Sequence, residues 1–150
     1  MLKRHSTSKD FRCTQCGKML AKNTGFVGLE IKCARCGTLN LIFESMIEQV
    51  IITDPQGTIL FINNAVEIAT GYTADEAIGK NPSELWGGHM SMEFYVDMWK
   101  EILEKKATVK LKMTNRKKSG QPYNIELLVS PILDTNGNVI FFVGIEIIVT

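Results

Sequence analysis

Four cysteines, Cys13, Cys16, Cys33 and Cys36, are all that the chain contains, and none follows Cys36. Their spacing is Cys-x2-Cys, sixteen residues, Cys-x2-Cys, which falls within that of four-cysteine zinc sites. Each pair is followed by glycine (Gly17, Gly37), a residue that tolerates the positive φ of a tight turn. Two such turns can present four thiolates tetrahedrally to one Zn²⁺ and leave no position for water, so the expected zinc is structural, not catalytic. A segment of about 40 residues buries little core, and metal binding supplies the missing folding energy. Disulfides are one alternative, but nothing indicates export. A redox dithiol is the other.

Charge divides the chain at the same place. Residues 1–43 hold 8 of the 17 Lys and Arg but only 2 of the 16 Asp and Glu, while residues 44–150 are net acidic. The formal total of +1 averages two opposite segments. The expected domains are therefore 1–43 and 44–150. Four thiolates and Zn²⁺ together carry about −2, so the first segment stays basic when metallated. Arg12, Lys18, Lys22, Lys32 and Arg35 surround the cysteine pairs and are the candidate phosphate contacts to RNA or DNA. A solvated basic surface is the plain alternative.

The segment after Phe43 alternates strand and turn signals. Residues 50–53 and 58–62 read as a hairpin about Asp54-Pro55-Gln56-Gly57. A short helix is expected from Asn63 to Gly71. Thr73-Ala74-Asp75-Glu76 is a capping box for a second, ended by Gly79. Met92, Tyr95, Val96, Trp99, Ile102 and Leu103 form one face of a helix over 91–105. Strands follow over 109–114, 123–133 and 139–149, with turns at 116–120 and at Thr135-Asn136-Gly137-Asn138. Strands segregated from helices indicate an α+β domain with one antiparallel sheet.

Two resemblances follow from these residues. Cys13-Thr14-Gln15-Cys16-Gly17-Lys18 with Lys32-Cys33-Ala34-Arg35-Cys36-Gly37 is similar to the Com zinc-finger family of Mu-type phage translational regulators, over about residues 9–42. Ala34 departs from a frequent proline. The resemblance implies zinc on the four cysteines and mRNA binding in the family. Residues 44–146 resemble the PAS domain family. The carrying motifs are Ile51-Ile52-Thr53-Asp54-Pro55-Gln56-Gly57, Thr70-Gly71-Tyr72-Thr73-Ala74-Asp75-Glu76, Gly79-Lys80-Asn81-Pro82, Asn115-Arg116-Lys117-Lys118-Ser119-Gly120 and Ser130-Pro131-Ile132. This resemblance implies a five-stranded sheet with helices on one face around a pocket, a sensory or interaction role, and homodimerisation. The first module is then a small zinc-ribbon-like unit.

In such a pocket the family holds flavin, haem, another small molecule or nothing. Asn63, Trp99 and Asn115 stand where the resemblance places pocket residues; core packing and strand-end hydrogen bonding are their plain alternatives. Photochemical flavin members use a cysteine soon after the motif matching Gly79-Lys80-Asn81, and no cysteine follows here, so light-driven thiol adduct chemistry is excluded. His89, in Trp86-Gly87-Gly88-His89-Met90, is the one candidate haem ligand of this module. It reads better as an exposed loop residue, and haem is not expected.

No catalytic constellation stands out. The chain has no GxxxxGK[ST] loop, no GxSxG elbow and no histidine pair, so it reads as a non-enzymatic regulator. The family's common closing Asp-Ile-Thr is replaced within 144–150, and no kinase or helix-turn-helix output domain is expected within these 150 residues. Output is expected through the zinc module, the sheet or a signalling partner such as a kinase or regulator. A run of 45% apolar and 22% charged residues without a long apolar span or a leader suggests a cytoplasmic protein with no membrane segment. A protein-interaction adaptor with a purely structural zinc is the rival reading.

Overall fold

The computed structural model describes residues 10–12, 16, 19–22, 30–32, 39–41 and 46–150. The chain divides into two compact units, Met1–Ser45 and Met46–Thr150. In the first, β1 (Asp10–Arg12) pairs antiparallel with β2 (Met19–Lys22), and β3 (Glu30–Lys32) with β4 (Leu39–Leu41). One cysteine pair falls in the chain between β1 and β2, the other between β3 and β4.

The second unit is a five-stranded antiparallel sheet of order β6-β5-β9-β8-β7. Its strands are β5 (Gln49–Thr53), β6 (Ile59–Ile62), β7 (Val109–Arg116), β8 (Pro122–Leu133) and β9 (Val139–Val149). The helices are α1 (Asn64–Thr70), α2 (Ala74–Ala77) and α3 (Met92–Lys105), with a 3-10 turn over Pro82–Glu84. The expected α+β sheet with its helices is present. The 3-10 turn was not expected from the sequence.

Local chemistry accounts for the punctuation. Asp54 Oδ1 accepts from the amides of Gln56 and Thr58, and Asp134 Oδ1 from those of Asn136 and Asn138. These two side-chain turns join β5 to β6 and β8 to β9. Thr73 Oγ1 accepts from Glu76 N at 3.3 Å while Glu76 Oε2 accepts from Thr73 N at 3.0 Å, the reciprocal cap expected there. Ser91 caps α3 by accepting from Phe94 N.

Three apolar clusters fill the space between sheet and helices, the smallest of them Met113, Tyr123 and Ile125. Of the larger two, one gathers Ile51, Ile59, Ile62, Val66 and Trp86; the other gathers Met98, Ile102, Val109, Val129 and Phe142. The buried side of α3 differs from its expected face. Met98 and Ile102 are buried and Phe94, Tyr95 and Trp99 half-buried, whereas Met92, Val96 and Leu103 are exposed. Met92 and Val96 instead line the cavity described next.

Candidate functional site

A cavity of about 800 Å³ opens between the inner face of the sheet, α3 and the loop 81–90. Strand alternation supplies its floor. Phe142, Gly144 and Glu146 share one face of β9 and all line the cavity, as period two requires. Ile51 of β5, and Leu127 and Val129 of β8, extend the apolar floor. Trp99 and Tyr95 of α3 form the opposite wall. Trp99 meets Phe142 edge-on, with ring centroids 5.0 Å apart.

The loop wall is held by its glycines and by Trp86. Gly88 has φ +77, and a Cβ there would lie 2.6 Å from the Ser83 carbonyl oxygen, so a side chain would displace backbone. Arg116 N donates to the Trp86 carbonyl at 2.8 Å, which ties the loop to β7. Trp86 itself is fully buried among Ile51, Ile59 and Ile62.

The polar end of the cavity is Glu146. This carboxyl is 6% exposed. It accepts from Trp86 Nε1 at 3.2 Å and from Asn115 Nδ2 at 3.2 Å. No cation pairs with it among the described residues. Burial pushes its pKa up to about 7, against the two donors, which favour the ionised form. Asn115 Oδ1 and the Tyr123 hydroxyl are buried without hydrogen-bond partners. Burial, with Glu146 nearby, raises the Tyr123 phenol further above its ordinary value.

A carboxyl that holds its proton more tightly when folded stabilises the fold at low pH. Between the unfolded value near 4.5 and the folded value near 7, the unfolded chain ionises first. Stability is therefore expected to fall as pH rises through this window, by about 3 kcal/mol, and to level off above it. Glu146→Gln should flatten the profile. Urea midpoints across the window check this; equal slopes in both proteins would mean that Glu146 does not titrate there.

The sequence-derived candidates separate. Trp99 and Asn115 line the cavity. Asn63 is not among its lining residues. Its Oδ1 accepts from Val50 N and caps α1 through Val66 N, and its Nδ2 donates to the Glu48 carbonyl. His89 is exposed and is not among the lining residues. Cys16 sits half-buried in a turn, while Cys13, Cys33, Cys36, Lys18 and Arg35 lie outside the described residues. Arg12, Lys22 and Lys32 fall in β1, β2 and β3. Sequence reasoning missed Glu146 and Trp86. The available signal was parity: Glu146 follows Phe142 by four residues in one strand, so the two share a face.

No helix among the described residues is long and apolar enough to cross a membrane. The chain is similar to the "Blue-light photoreceptor" of Listeria innocua, 38% identical over 65% of this chain and 39% of that protein. It is also similar to the "Blue-light-activated histidine kinase" of Brucella anthropi, 38% identical over 64% of this chain and 19% of the kinase. The chain thus spans well under half the length of these relatives. The fold matches the crystal structure of a PAS domain from Colwellia psychrerythraea with a TM-score of 0.65 and 24% identity, covering 72% of this chain and 91% of that one. Residues 7–46 match the family model described as Mu-like prophage protein Com, a zinc ribbon. Residues 37–147, a span that contains every residue lining the cavity and all of the sheet but the last two residues of β9, match the family model of the PAS fold, and the chain belongs to that family.

Proposed function

We propose that this chain is a non-enzymatic sensor-regulator. Its PAS unit binds a small ligand in the cavity, and its basic zinc ribbon contacts nucleic acid. The carrying observation is the cavity of about 800 Å³ with apolar walls and one buried carboxyl, the form of a small-molecule site. Light-sensing relatives support the sensory part. Flavin falls within the size that such a volume admits. The thiol that adduct photochemistry would use is lacking, since Pro82-Ser83-Glu84 follows Gly79-Lys80-Asn81 and no cysteine lies beyond Cys36. A flavin here would therefore report redox state or serve as a bound ligand.

The match to the Com family and the basic excess of residues 1–43 support the nucleic-acid part. Zinc on Cys13, Cys16, Cys33 and Cys36 would hold the ribbon. Arg12, Lys18, Lys22, Lys32 and Arg35 would meet phosphates. Native mass spectrometry and absorbance of freshly purified protein should show a bound small molecule or take one up from a cell extract. Single-stranded RNA and duplex DNA should bind at low salt and release steeply as salt rises. Replacing Lys18, Lys22, Lys32 and Arg35 together by Glu should weaken binding at least about tenfold, through lost phosphate contacts. Absence of binding to either nucleic acid at low salt sinks that half of the reading.

One observation favours an interaction role beside it. On the outer face of the sheet, register puts Ile132 opposite Phe141, Leu128 opposite Ile145 and Glu126 opposite Ile147. Phe141 is 40% and Ile147 39% exposed. The outward apolar residues of β9, interrupted on β8 by Glu126 and Ser130, suit a second copy of this chain or a signalling partner such as a kinase. Sedimentation of wild type against Phe141→Lys distinguishes dimer from monomer.

A further inference from the structure

The polar end of the cavity is unbalanced between donors and acceptors. Glu146 takes up Trp86 Nε1 and Asn115 Nδ2. Each carboxylate oxygen keeps a further lone pair beyond the bond it accepts. Asn115 is 1% exposed, lines the cavity and leaves its Oδ1 without a partner. The Tyr123 hydroxyl, the other unpartnered group here, is not part of the cavity lining, so what the lining offers a ligand at this end is acceptors. A ligand oxygen placed there would meet acceptor against acceptor. An N–H group would satisfy atoms whose burial unpaired is costly. The aromatic side chains of Trp99, Tyr95 and Phe142 on the cavity wall suit an aromatic ligand, which can pack against them edge-on or offset.

We propose, building on the ligand-sensing reading above, that the cavity takes a planar nitrogen base presenting adjacent N–H donors, and that Glu146 with Asn115 selects it. Of the ionisable groups around Glu146, Tyr123 on β8 stays a neutral phenol, because burial holds its proton. Glu48 and Lys117 border a second hollow that Glu146 also lines, and neither pairs with it. Among the described residues the carboxylate thus has no paired cation, and a protonated base would supply one. Uptake of a permanently cationic base should follow ionisation of Glu146 and strengthen as pH rises through about 7.

Three probes of similar size test this on the full zinc-loaded chain. Benzamidine carries two donor nitrogens and a positive charge. Benzamide replaces one nitrogen by a carbonyl oxygen. Benzene needs only the apolar walls. The readout is the methyl NMR shifts of Met90, Met98 and Met113, which line the cavity. The expected result is benzamidine binding at least about tenfold tighter than benzamide at pH 8, and about tenfold tighter at pH 8 than at pH 6. Glu146→Gln should remove both differences. The pH dependence in wild type carries the test should that variant fold poorly. Equal binding of the two probes, or benzamidine binding indifferent to pH, overturns the proposal. If benzene alone binds, the proposal fails and the ligand cavity stands. If none of the three binds, both fail.

Discussion

Purified protein is expected to carry about one zinc per chain, and stripping that zinc should unfold the first unit while the second keeps its own melting transition. The strands of the first unit are three or four residues long, Asp10–Arg12, Met19–Lys22, Glu30–Lys32 and Leu39–Leu41, in two separate two-stranded pairs. An isolated two-stranded pair is marginal in water at best. A unit of this size has little apolar area to set against the entropy of ordering its chain. Structural zinc in finger peptides contributes about 10–16 kcal/mol of apparent binding energy, all of which is folding energy when the apo form is unfolded. Its removal is therefore expected to be a larger perturbation than any single core substitution. Elemental analysis gives the stoichiometry, and amide NMR dispersion for residues 10–41 before and after chelation gives the consequence. Cys16→Ser should act like chelation, since three thiolates and one hydroxyl hold zinc poorly. A metal-free chain that remains folded, with its cysteines in disulfides, would overturn the zinc reading.

How much of this was readable in the sequence depends on the range of the interaction. Local chemistry was readable. Asp54 and Asp134 turns, the Thr73–Glu76 cap and the start of α3 after Ser91 each involve side chain and backbone within a few residues. Hydrophobic period gave the last strand, Val139–Val149, with the expected bounds. The buried side of α3 was harder. A cavity removes the partner that would cover Met92 and Val96, so an apolar period overstates burial there. Asn63 shows the reverse error of scale. It reads as a pocket residue by position, yet its amide is spent on capping α1 and tying β5. Glu146 was the least readable. It interrupts an apolar run, Ile145-Glu146-Ile147-Ile148, and a charge in a strand usually points to water. What turns it inward is the register of β9 against β5 and β8, Gln49 and Leu127 being its cross-strand neighbours. Its two donors lie 60 and 31 residues away in sequence, a separation that no local pattern encodes.

Trp86→Ala is expected to be the most damaging single substitution in the PAS unit, costing about 3–5 kcal/mol, the usual range for deleting a large buried aromatic side chain. Trp86 is fully buried, contributes to the cluster of Ile51, Ile59, Ile62 and Val66, and lies 6.2 Å from the Tyr72 ring between centroids. A domain with typical stability of about 5–15 kcal/mol would lose a large part of it. Two effects are mixed in that figure: a void in the core and a carboxyl robbed of one donor. Trp86→Phe separates them, because it keeps most of the ring and removes the N–H. Hydrogen bonds to an ionised acceptor are worth about 1.5–3 kcal/mol, those between neutral groups about 0.5–1.5 kcal/mol. The loss from Trp86→Phe should thus be larger at pH 8, where Glu146 is ionised, than at pH 5, where burial keeps it protonated. Removing a donor also disfavours the charged form, so the folded pKa of Glu146 should rise further. In a Glu146→Gln background the pH dependence of the Trp86→Phe loss should vanish, while the cost of Trp86→Ala should remain. Urea midpoints for wild type, the three single variants and the two double variants at both pH values decide this. A Trp86→Phe loss equal at the two pH values would place the role of Trp86 in packing alone and detach it from the carboxyl that forms the polar end of the cavity.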